Sequence, residues 1–251
     1  MSPLTTAVVV FVSLLAAIAA GVRLGRLLPT HHRNQETKDT VKMSLGLIAT
    51  TVALLLGLLI GSAKGSYDTK QGEVIQAASK VVFLDRVLSL YGPETAEIRA
   101  RVRAVVNEWV RRQWSGERPS PPGADAKTTA GDSVYFDILR LSPQSDIQRS
   151  LKDQAAAMAL ELAELRTLMR AQSAPSISMP LLIIVAIWLV VIFLGFSMIA
   201  PGNATSILTL VISALSISGA LFLILELDRP FAGLIHISSQ PMLEALSHIG
   251  G

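Results

Sequence analysis

The sequence predicts an all-α membrane protein: four transmembrane helices, with a helical extramembrane domain between the second and the third. Three observations predict it. Only 16% of the 251 residues are charged and 51% are hydrophobic, with a mean hydropathy of +0.49. Soluble domains are about 25% charged. Residues 4–22, 43–63 and 171–225 carry no charge, and a helix needs about 20 apolar residues to cross the hydrocarbon core. The polar region between them, 65–178, repeats its apolar residues at helical spacing.

The first span covers roughly 4–24. Its "AAIAAG" resembles a signal-peptide cleavage site, but no basic segment precedes the apolar run, so a retained helix is expected. A short basic loop follows, holding Arg23, Arg26, Arg33, Lys38 and Lys42 against Glu36 and Asp39. His31-His32 in that loop read as solvated. The second span is 42–64 and runs straight into "GSAKGSYD" (61–68). A phosphate loop would need Gly-x-x-x-x-Gly-Lys-Ser/Thr between a strand and a helix. Here Lys64 follows Ala63, and the apolar run is too long for a buried strand.

Three helical segments are expected in the polar region. Val74, Ala78, Val81, Leu84 and Leu88 mark the first, and Ile98, Val102, Val105 and Trp109, after Pro93, mark the second. The third runs Ile147, Leu151, Ala155, Met158, Leu162, Leu165 and Met169, with Ser142-Pro143 as its start signal. "SGERPSPPGADAKTTAGD" (115–132) reads as a mobile linker. Ser178 with Pro180 opens the third span, 179–200. "APGNAT" (200–205) is a turn in which Asn203 caps the fourth, 204–226. Serines 206, 213, 216 and 218 are expected to bond their own helix carbonyls. The domain division is thus 1–64, 65–178, 179–227, and a membrane-proximal tail, 228–251.

Several function classes drop out. No cysteine is present, so thiolate metal sites and disulfides are excluded. A net charge of +3 with interleaved signs does not suit nucleic acid. No nucleophile–base–acid set is visible, so no enzyme, cofactor or metal is expected; His236 and His248 are isolated, and Trp109 and Trp114 read as core or interface aromatics. No span holds an internal charge, which argues against coupled transport.

The second span carries the candidate site. Gly46, Thr50, Ala53, Gly57, Gly61 and Lys64 follow at spacings of four, three, four, four and three, one stripe of a helix. Leu47, Leu54, Leu55, Leu58, Leu59 and Ile60 hold the other faces. Such a stripe either packs closely against another helix, as Gly57-x-x-x-Gly61 would allow, or lines a pore when several copies surround an axis. Lys64 either snorkels to head groups or, repeated in a ring, concentrates anions. At the fourth span's end, "LELDRPFAGLIHISSQP", the residues Glu226, Asp228 and Arg229 lie at the membrane boundary and Pro230 with Phe231 ends the helix.

"LLLGLLIGSAKGSYD" resembles the bestrophin pattern, in which a transmembrane helix runs through Asn-Ser-x-Tyr-Asp into the cytosolic helices; Gly65-Ser66-Tyr67-Asp68 stands in that place. "LELDRPFAGLIHIS" resembles the bestrophin Glu-x-x-Asp-Pro-Phe-Gly stretch, with Asp228, Pro230, Phe231 and Gly233 as nearest matches. Through "KDTVKMSLGLIAT", "LDRVLSLYGPE" and "APGNAT", residues 38 to 246 are similar to a bacterial membrane family, a bestrophin-like domain of unknown function.

The resemblance implies a ring oligomer, a homopentamer, that passes small inorganic anions passively, with the second helix lining the pore and membrane lipid around it. Tyr67, Asp68, Glu226, Asp228, Arg229, Pro230 and Phe231 then take membrane-boundary or gating places. It also implies a multi-pass protein of the bacterial inner membrane with the helical domain and both termini cytoplasmic; the charge count alone slightly favours the reverse. Two departures matter. The bestrophin neck positions fall on small Ala53, Gly57 and Gly61, and Arg229 separates Asp228 from Pro230, so neither an apolar gate nor a calcium clasp is implied. The alternative function is a non-conducting membrane scaffold or stress sensor whose helical domain binds a partner.

Overall fold

The computed structural model describes residues 2–27, 35–114, 130–171 and 177–249. His31, His32 and positions 115–129 of the expected linker lie outside the described residues. Every regular element described is helical: α1 (Pro3–Leu27), α2 (Gln35–Tyr91), a 3-10 turn (Pro93–Thr95), α3 (Ala96–Trp114), α4 (Ala130–Leu139), α5 (Asp146–Ala171), α6 (Met179–Ile199), α7 (Ala204–Leu227) and α8 (Gln240–His248). Of these, α1, α2, α6 and α7 are long and apolar enough to cross a membrane. The protein is an all-helical membrane protein.

The chain divides into two compact units, residues 1–67 with 175–229, and 68–174 with 230–251. In the first, Leu14, Ile18, Val52, Leu59, Val185 and Leu221 form the core. The side of α1 that carries Gly21 and Gly25 lies hard against α6. A Cβ on Gly21 would fall 1.9 Å from Ser197 Oγ and 2.4 Å from the Leu194 carbonyl oxygen, and one on Gly25 would fall 2.4 Å from the Met198 carbonyl oxygen. Only glycine permits this backbone approach. Asn203 caps α7 as expected, its side chain accepting from the Ser206 amide at 3.0 Å. Ser213 and Ser216 donate to the carbonyls of Thr209 and Ile212. Ser218 differs: it is buried, and its hydroxyl has no partner.

In the second unit the last turns of α2 meet α3 at a tight corner. Gly92 takes φ 142°, a conformation L side chains rarely adopt, ahead of Pro93. The buried Thr95 hydroxyl donates to the carbonyl oxygen of Leu88 at 2.6 Å, and Arg99 grips buried Asp85 through two hydrogen bonds of 2.8 and 2.9 Å. That bidentate pairing raises the Arg99 pKa, partly offset by burial. Lys80 pairs with Glu161 of α5, and Arg101 with Asp137 of α4.

Two helices in this unit escape the periodicity argument, α4 and α8, of ten and nine residues. Each nevertheless contributes core: Val134 and Ile138 from α4, Met242 and Ala245 from α8. The buried stripe of α3 is Ile98, Val102, Val106 and Val110, so Val105 and Trp109 stand half-exposed at its edge. Helix α5 begins after Ser145, whose hydroxyl accepts from the Gln148 amide, three residues beyond the expected Ser142 start. Ile147 at its head is exposed.

Candidate functional site

The membrane-length part of α2 buries one narrow face against its own unit: Leu45, Val52, Leu59 and Ala63. At roughly 100° per residue this face lies about 130° round the helix from the small-residue stripe. The stripe is therefore uncovered in the single chain. A Cβ built on Gly46, Gly57 or Gly61 meets nothing within 4 Å, and Thr50, Ala53 and Lys64 are exposed. Within the chain, close backbone packing is made by Gly21 and Gly25 of α1, and Gly57-x-x-x-Gly61 takes no part in it. The Thr50 hydroxyl donates to the Gly46 carbonyl at 3.0 Å, which leaves the stripe without an unsatisfied polar group at that point.

At the stripe's end Lys64 Nζ sits 5.5 Å from the centre of the Tyr67 ring, a cation–π contact that holds the ammonium one turn from the aromatic. The helix then continues without a break through Gly65, Gly72 and on to Tyr91. Of the remaining boundary residues, Glu226 is buried at the end of α7, and Asp228 caps that helix, its amide donating to the Ile224 carbonyl at 3.2 Å. Arg229 is exposed. The helix stops at Leu227, ahead of Pro230.

Asp68, Pro230 and Phe231 belong to the second unit. There Phe231 is an anchor. Its ring meets Trp114 edge-on at 5.6 Å, and Trp114 meets Trp109 likewise at 5.7 Å. The Trp114 indole N–H donates to the Ile237 carbonyl at 2.7 Å, and the Ile237 amide returns to the Pro230 carbonyl at 2.7 Å. Residues 230–237 are thus a closed loop fastened to α3. A single aromatic more than a hundred positions upstream gives no sequence signal for such a fastening. Among the described residues no three His, Asp or Glu gather as metal ligands would.

Compared with known proteins, residues 11–242 match the family model described as Bestrophin-like domain. No curated protein and no solved structure matches the chain.

Proposed function

The chain belongs to the bestrophin-like domain family, and from that premise we propose that it assembles as a homopentameric ring that passes small inorganic anions passively across a membrane. In this reading α2 lines the axis with Gly46, Thr50, Ala53, Gly57, Gly61 and Lys64, and the chain performs no catalysis. The helical unit and both termini lie on the cytoplasmic side of a bacterial inner membrane.

The supporting observation is the uncovered stripe: a membrane-length helix directs its glycines away from the core of its own unit, and a Cβ on Gly46, Gly57 or Gly61 would meet no other part of the chain within 4 Å. A face nearly without side chains gains little from lipid contact, because it offers few atoms for dispersion. Around a common axis the same face leaves room for hydrated ions. A ring also repeats Lys64 once per subunit, and a circle of ammonium groups raises the local anion concentration. In this reading Tyr67, Glu226, Asp228 and Arg229 of the first unit, and Asp68, Pro230 and Phe231 of the second, take membrane-boundary or gating places.

Planar-bilayer recording of the purified protein tests the reading. Currents whose reversal potential follows the chloride gradient are expected. Gly57→Trp should remove them while the ring stays intact by size-exclusion chromatography. Silence from the native protein, or loss of the ring in Gly57→Trp, would instead favour the non-conducting scaffold.

A further inference from the structure

The second unit holds a largely apolar pocket of about 150 Å³, open on one side. Its inner wall is Val81 and Leu84 of α2, Val102 and Val106 of α3, Ala159 of α5 and Met242 of α8, all buried. Its mouth is different. Trp109 and Leu162 stand half-exposed around it, and Arg166 and Arg170 enter the lining from consecutive turns of α5. A spacing of four puts both guanidinium groups on one helix face. None of the described residues lining the cavity is acidic.

We propose that this cavity binds a small apolar monocarboxylate, its hydrocarbon body against the valine and leucine wall and its carboxylate at Arg166 and Arg170. The volume sets the body. A volume of about 150 Å³ accommodates a benzene-sized body. The charge sets the head group, because guanidinium forks match carboxylate oxygens two by two, and such charge-assisted bonds are the strong ones. The half-exposed apolar rim points the same way: Val105, Trp109, Leu162 and Leu165 keep apolar surface around the opening. The site lies wholly within one unit and does not depend on whether the protein conducts.

Phenylacetate is a suitable probe, since its ring fills such a volume and its charge keeps it out of bilayers. Phenylacetamide is the neutral control of nearly the same shape. With the full chain in lipid nanodiscs, saturation-transfer NMR and tryptophan fluorescence should report saturable phenylacetate binding above that of empty nanodiscs. The amide should bind at least tenfold more weakly. Arg166→Gln with Arg170→Gln should weaken phenylacetate at least tenfold, and Ala163→Leu, which fills the space, should abolish binding. The amide comparison uses the native protein and so stands even where a variant folds poorly. No saturable binding, equal binding of acid and amide, or unchanged affinity in both folded variants would overturn the proposal.

Discussion

Tyr91 is the last residue of α2, and its ring is buried with a hydroxyl that finds no hydrogen-bond partner. Burial first, and the nearby Glu94 carboxylate second, raise its pKa above the ordinary 10.0. The sign of the consequence is fixed. Below pH 10.0 the phenol is protonated in both folded and unfolded chains and contributes no pH dependence. Above it the unfolded chain ionises first, so stability falls as pH rises towards the folded pKa. Tyr91→Phe should remove that part of the alkaline loss. It should also raise the melting temperature near neutrality by about 2–4 °C, the effect of deleting one buried unpaired hydroxyl worth about 1 kcal/mol. Thermal unfolding of both proteins from about pH 8 to 11 checks it. At the opposite limb Glu108, hydrogen-bonded by Arg111 and Arg112, has its pKa lowered to about 2. That contribution is present above the ordinary carboxylate pKa and is lost as pH falls towards 2.

Two pairs of glycines, each spaced by four, separate two meanings of one motif at the scale of the element. Gly25 faces a carbonyl oxygen that would lie 2.4 Å from a new Cβ, whereas Gly61 faces open space. Gly25→Ala should therefore push α1 off α6 and destabilise by about 1–3 kcal/mol. Gly61→Ala should be neutral or stabilising by up to about 1 kcal/mol, since alanine favours the helix. Melting of the two variants in the same nanodiscs decides the matter; a large loss in Gly61→Ala would reveal a close neighbour from another subunit.

The contrast also bounds what the sequence makes legible. The four membrane helices, the cap at Asn203 and the helix start at Ser178 with Pro180 follow from charge-free length and local backbone chemistry, which need no partner. The stripe on α2 follows from spacing alone. What covers a stripe does not, because Gly21 and Gly57 look alike until α6 is seen beside one of them. Helices α4 and α8 stay hidden because ten or nine residues give too few turns for a period to emerge. The α3 register slips by one residue because Val105 and Val106 are equally apolar, and spacing alone does not choose between them.

At the scale of the whole molecule, α2 alone among the described helices contributes residues to both units, 35–67 to one and 68–91 to the other. At four of its glycines from Gly57 to Gly72 an added Cβ would meet open space, and each costs the helix about 1 kcal/mol against alanine. In a closed ring every residue recurs once per subunit, so a side chain worth little in one copy acts collectively. Lys64 is the residue for which this multiplication matters most. Alone, it makes a cation–π contact with Tyr67 worth about 0.5–1 kcal/mol at an exposed site. In the proposed ring its charges would add to a single field met by every passing ion. If Lys64 rings the axis as proposed, Lys64→Glu would reverse the sign of the whole circle while leaving the buried face at Leu45, Val52, Leu59 and Ala63 untouched. Under a salt gradient the reversal potential should therefore move from the chloride side towards the cation side, with Lys64→Gln between the two and the ring size unchanged. A reversal potential indifferent to all three residues would place Lys64 in the head groups, away from the path of the ions.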